Sequence, residues 1–169
     1  GAVAVEAAHR LGKDAAGLIL TCAASPRYVQ AADFPYGGVR EDVLGMQDAI
    51  LADRAGFFKG LSAGVCAKDV GQPAIDWMWS IFMDAGPQAI KAMLALADLD
   101  QRSILAGLDI PVLSIIGSED GVVPPQIGEQ AAACAQHGKL ARFEGCGHAP
   151  FIEDGPGYIK TLLEFAQDV

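Results

Sequence analysis

Positive charge is scarce in this sequence. Twelve Lys and Arg stand against 21 Asp and Glu, a formal net charge of −9. Nucleic-acid phosphates and anionic membrane surfaces both select for clustered cations, so neither is expected as a partner. Long apolar runs are missing too, and no stretch reads as a membrane span or a signal peptide. Cysteine is sparse: Cys22, Cys66, Cys134 and Cys146 lie far apart with no C-x-x-C pair. That spacing argues against a disulfide framework and fits four small buried side chains in a reduced, cytoplasmic protein. Only His9, His137 and His148 could offer imidazole, and their spacing suits no metal site. There is no G-x-G-x-x-G and no P-loop, which removes a doubly wound nucleotide-binding domain. No internal repeat and no low-complexity segment is present.

What the chain does have is apolar mass. Half of its 169 residues are hydrophobic, enough for one domain with a core, or for a large part of a bigger one. Residues 1–11 read as an alanine-rich helix stopped by Gly12. Residues 16–22, AGLILTC, read as a buried strand. Pro26, Pro35, Gly37 and Gly38 punctuate an irregular loop. Helices are predicted over 41–61, 73–85, 87–96 and 100–108, with a poorly defined glycine-rich stretch at 60–71. A strand at 112–116 follows. A helix then opens at Pro124 and Pro125 and runs to Gln136 or His137, with Gly138 as its cap and His137 at its C-terminus. A strand at 140–144 and a final helix at 156–167 complete the pattern, the last directing Ile159, Leu162, Leu163 and Phe165 to the core. Strands alternating with helices mean an α/β architecture with parallel strands and right-handed crossovers. Three strands make a narrow parallel sheet with a bare apolar edge on the first, so further strands are expected on that side.

The stretch from Ile110 to Pro150 organises the rest. One strand ends in Gly117-Ser118-Glu119-Asp120 and the next in Gly145-Cys146-Gly147-His148. Parallel strands end on a common rim, where sites gather, so a carboxylate and an imidazole meet there. The bland alternatives are a turn aspartate before Gly121 and an ordinary histidine; Glu119 is the rival acid. Glu153 and Asp154 read as a solvated turn and the cap of the last helix.

PVLSIIGSEDGVVP and GCGHAPFIED, supported by GAVAVEAAHRLGKDAAGLILTCAAS and EDVLGMQDAILADRAGFFKGL, resemble the C-terminal portion of an α/β-hydrolase fold protein of the esterase, lactonase and cofactor-free haloperoxidase kind. The resemblance covers nearly the whole chain. It implies core elements over 1–25, a helical cap over 26–98, and the C-terminal core strands and helices over 99–169. It makes His148 the general base and Asp120, rather than Glu119, the acid that orients it. It implies cleavage of carboxylic esters or lactones through an acyl-enzyme without cofactor or metal, with haloperoxidase or perhydrolase activity as a variant. Trp77, Trp79, Phe82 and Met83 of the cap are expected to pack it down or to line an acyl pocket. The family's G-x-S-x-G elbow is not found here. The sequence is expected to begin just after it, so the serine and both oxyanion donors would come from an N-terminal half, as a second chain or a further segment. Ser25, Ser62, Ser80, Ser103, Ser114, Ser118 and Cys146 sit in no such motif. A truncated or degenerate member used for binding is the non-enzymatic alternative.

Overall fold

Two of the three strands are nearly pure apolar runs, and for the central one burial explains why. The computed structural model describes residues 1–169 and places strands at Leu18–Thr21 (β1), Pro111–Gly117 (β2) and His137–Phe143 (β3). They pair in parallel in the order β1-β2-β3. β2 is central and buried from Val112 onward, so a continuous apolar sequence is what it needs. Leu18 faces Val112 and Thr21 faces Ile115; on the other side Pro111 faces His137 and Gly117 faces Phe143. β1 is hydrogen-bonded along one edge only.

Nine helices surround this sheet: Ala2–Leu11 (α1), Arg40–Ala52 (α2), Arg54–Gly64 (α3), Gln72–Asp84 (α4), Pro87–Met93 (α5), Arg102–Gly107 (α6), Pro125–Cys134 (α7), Pro150–Glu153 (α8) and Gly155–Ala166 (α9). Side chains alternate between the faces of a strand, so each face has its own core. Val5, Ala8, Leu18, Leu20, Leu105 and Val112 join α1 and α6 to one face. Leu113, Ile115, Phe143 and Phe165 join α9 to the other. Helices α2 to α5 form a separate layer around Ile50, Phe58 and Ile90. That layer meets the rim of the sheet where Val65 and Met78 pack on Ala149. None of the helices is long and apolar enough to cross a membrane.

Several local expectations are corrected. The helix predicted over 41–61 is two helices, broken at Asp53, whose carboxylate accepts the Gly56 N–H and caps α3. A short side chain that satisfies a helix-start donor competes with continued helix. α3 then enters the glycine-rich stretch and ends within it, at Gly64. Gly138 caps nothing: α7 ends at Cys134 because Ala135 is extended, and β3 begins two residues later. His137 therefore opens a strand and lies 3.2 Å from Asp109 instead of closing a helix. On α9, Phe165 is buried, while Ile159 and Leu163 are 58% and 60% exposed. Tyr158, Leu162 and Phe165 share one stripe and take the core side. Gly12, at φ 54°, stops α1 as expected.

This assignment of the α9 faces is checked by urea denaturation of the 169-residue chain. Phe165→Ala should cost about 3–5 kcal/mol, whereas Leu163→Ala should stay within about 0.5 kcal/mol of the parent.

Candidate active site

The register of β2 and β3 sets the site. Gly117 and Phe143 end their strands as partners, and the chain leaves each into a turn on the same rim. The two turns are stitched together: Ser118 N–H donates to the Phe143 carbonyl at 3.0 Å, Glu119 N–H to the Cys146 carbonyl at 2.9 Å, and Gly145 N–H to Ser118 Oγ at 2.7 Å. Ser118 thus holds a turn. Residue 117 must be glycine, since a Cβ there would overlap the carbonyls of Cys146 and Gly147.

Asp120 Oδ2 lies 2.8 Å from His148 Nδ1. Its other oxygen accepts N–H groups from Val122 at 2.8 Å and Val123 at 2.9 Å. The Asp120 side chain is 1% exposed and that of His148 29%. Glu119, the rival acid, points to solvent. Burial is the largest influence on Asp120 and opposes its ionisation. The hydrogen bonds from His148 and Val123, the charge of His148 and the bond from Val122 outweigh it together, and the carboxyl is held below its usual range. An ionised Asp120 fixes the proton on Nδ1, which leaves Nε2 without a partner in the chain and able to accept one.

His148 borders two apolar cavities that meet at Thr21, Leu61, Val122 and the imidazole. The first, of about 440 Å³, is walled by Leu61, Val65, Met78, Ile81 and Phe151 and includes Trp77 and Phe82. The second, of about 500 Å³, is lined by Met46, Phe57, Met93 and Leu96 and has Gly1, the N-cap of α1, on its wall. Trp79 and Met83 reach neither. They are four residues apart on the opposite side of α4 and pack into the Ile50, Phe58 and Ile90 cluster, with Trp79 Nε1 donating to the Ala55 carbonyl at 3.1 Å. For these two the expected pocket role gives way to packing.

Sequence reasoning passed over three neighbours of the pair. Thr21 and Tyr158 share a hydroxyl hydrogen bond of 2.8 Å, a polar feature of the first cavity beside the imidazole. Cys22 takes φ 44°, a strained angle for a non-glycine residue and the kind of strain that collects at functional sites. Its thiol is pushed up to about 12 by burial first and by the charge of Asp120 second, so it stays protonated. The donor atoms of Cys22, Asp120 and His148 lie within 4.8 Å of one another, a set that suits a soft metal by type. In the chain itself Nδ1 is bonded to Asp120 and the Cys22 thiol donates to the Gly147 carbonyl at 3.8 Å. Cys146 is buried, and none of the six serines borders either cavity.

A parallel sheet with helices on both faces, a helical layer over one rim and an Asp–His pair at successive strand ends defines an α/β-hydrolase. The chain belongs to the alpha/beta hydrolase family, whose model matches residues 1–160. It is 28% identical over 168 residues to the AB hydrolase superfamily protein YisY of Bacillus subtilis, covering 98% of this chain and 63% of that protein. It is 32% identical over 174 residues to a pimeloyl-[acyl-carrier protein] methyl ester esterase of Aromatoleum aromaticum, covering 97% of this chain and 69% of that one. Among solved structures, an esterase from Exiguobacterium antarcticum superposes with TM-score 0.92 at 26% identity, over 98% of this chain and 62% of that one. A bromoperoxidase from Bacillus anthracis shares the fold, with TM-score 0.81 at 22% identity, over 89% and 58%. The chain thus spans between 58% and 69% of the length of these relatives.

The lowered Asp120 carboxyl carries a sign that can be measured. Its ionised form stabilises the fold above the ordinary carboxylate range, and that stability is lost as pH falls through the lower folded value. Asp120→Asn should cost about 1–3 kcal/mol at neutral pH, and the gap to the parent should close below about pH 4. Denaturation series across pH would reveal a constant gap if Asp120 were an ordinary surface acid.

Proposed function

We propose that this chain is the acid–base half of a serine hydrolase that cleaves carboxylic esters, lactones among them, through an acyl-enzyme. The observation that carries this reading is the 2.8 Å bond from Asp120 to His148 Nδ1, with the ring bordering both cavities. The family membership and the esterases among its relatives favour the same chemistry.

In this reading the nucleophile is a serine supplied from outside residues 1–169. Gly1 and His148 share the wall of the second cavity, so a hydroxyl just ahead of α1 would fall near Nε2. No serine of the chain borders either cavity, and the Cys22 thiol is held protonated. The hydroxyl would pass its proton to Nε2 as oxygen attacks the ester carbonyl. Asp120 stabilises the resulting imidazolium and keeps its orientation. The positive end of the α1 dipole favours the negative charge that develops beside it. His148 then gives the proton to the departing alcohol oxygen; afterwards it takes one from the water that attacks the acyl-enzyme and passes it to the serine oxygen as the bond to the acyl group breaks. Residues 26–98 act as a cap, and the two apolar cavities on either side of the imidazole receive the acyl and alkoxy groups, with Trp77 and Phe82 on the wall of one. A peroxide that replaces water in the last step would give perhydrolysis. The remaining strands of the fold would add to the free edge of β1.

Alone, the chain should not turn over a short-chain aryl ester or be labelled by a serine-directed phosphonate. An N-terminal segment carrying G-x-S-x-G should restore both, and His148→Ala in that complex should lower kcat by about 10⁴-fold or more. A complex that forms without turnover would favour an interaction module. Phosphonate labelling of the isolated chain at one of its own serines would overturn the placement of the nucleophile.

A further inference from the structure

Glu153 does not lie where a solvated turn would put it. It ends α8, five residues beyond His148, and its half-buried carboxylate folds back onto two stretches of backbone. Oε1 accepts the Gly147 N–H at 2.7 Å, and Oε2 accepts the N–H groups of Ala67 at 2.8 Å and Lys68 at 2.9 Å. These donors belong to two separate parts of the chain: the turn that carries His148, and the connector between α3 and α4. The Lys68 ammonium adds a contact of 3.4 Å to the Glu153 backbone carbonyl. The same connector also reaches the histidine directly, since His148 N–H donates to the Val65 carbonyl at 2.7 Å. Glycine at 147 permits this approach; a Cβ there would stand 2.7 Å from Val65 O and Ala67 N.

We propose that Glu153 is a positioning residue that clamps the turn of His148 to the helical layer, so that the seating of the layer and the orientation of the imidazole toward Asp120 form one coupled element. Three converging N–H groups are what a carboxylate suits. It is acceptor-only, and charge-assisted hydrogen bonds are roughly twice as strong as neutral ones. Glutamine has the same shape but a single acceptor oxygen, and its NH₂ would face one of the N–H groups it should bind. Alanine removes all three of these bonds and leaves the His148–Val65 bond as the backbone tie. The order of effect is therefore parent, then Glu153→Gln, then Glu153→Ala. The proposal rests on the acid–base reading above only for its kinetic consequence, because the geometry it concerns is present in the chain itself.

The test is NMR of the ¹⁵N-histidine-labelled 169-residue chain, following the His148 Nδ1 proton and its exchange with water. Asp154→Ala is the control: Asp154 caps α9 by accepting the Gly157 N–H at 3.2 Å, so its loss is structural and local. Glu153→Ala should speed exchange of the Nδ1 proton by about 10-fold or more, Glu153→Gln by less, and Asp154→Ala not at all. In the assembled enzyme, Glu153→Ala should lower kcat by about 10- to 100-fold while KM for a short ester moves by less than about twofold. Unchanged exchange in both Glu153 variants, or an equal change in Asp154→Ala, would overturn the proposal. If Glu153→Ala does not fold, the isosteric glutamine variant decides. If the parent assembly lacks esterase activity altogether, the acid–base reading fails, and the exchange measurement still decides the role of Glu153.

Discussion

Parallel pairing of β2 with β3 is the constraint on which the site depends. Two parallel strands end on one rim, whereas antiparallel strands would put their C-terminal turns at opposite ends of the sheet. With Gly117 opposite Phe143, the turn through Asp120 and the turn through His148 leave side by side and share backbone hydrogen bonds. The buried carboxylate follows from the same geometry. Removing a charge from water costs several kcal/mol, and only fixed partners offset it. Asp120 has three: the imidazole and two amides of its own turn. A register slip between β2 and β3 would take away the imidazole and leave the charge with its two local partners.

The second contribution comes from the helical layer. α3 and α4 do not build the Asp–His pair, yet the segment between them touches the backbone of both Gly147 and His148. The rim side of the layer packs Val65 and Met78 onto Ala149, the residue after the histidine. An apolar contact, one backbone hydrogen bond from His148 to Val65 and the Glu153 carboxylate thus join the two layers at the point where the chemistry is proposed to occur. The opposite side of α4 is committed to the layer's own core, with Trp79 and Met83 against α3. A helix between two cores divides its apolar residues by angle, and α4 does so within seven residues.

Much of the site was legible because its signals are local. The end of β2 shows in the apolar run before Gly117, and a short turn after each of β2 and β3 names its candidates. Asp120 was separable from Glu119 only through family resemblance, because both lie in the same turn. The structure distinguishes them by burial and by the amides of Val122 and Val123. The break at Asp53 was local too: an acid three residues ahead of Gly56 is a helix-start signal that the apolar stripe concealed.

The sequence by itself determined the alternation of strands and helices, the parallel sheet that it implies, and the pair of strand ends that hold acid and imidazole. These depend on short-range periodicity and turn chemistry, which a linear reading captures. Only the tertiary structure decided which apolar residues face which partner. Trp77 borders a cavity and Trp79 a core, and Phe165 is buried while Leu163 is exposed, because facing depends on what lies opposite. It also decided the role of Glu153, whose bonds to Ala67 and Lys68 span 86 and 85 residues. No periodicity records a contact over that distance; it exists because two segments, each folded for its own reasons, arrive at the same carboxylate.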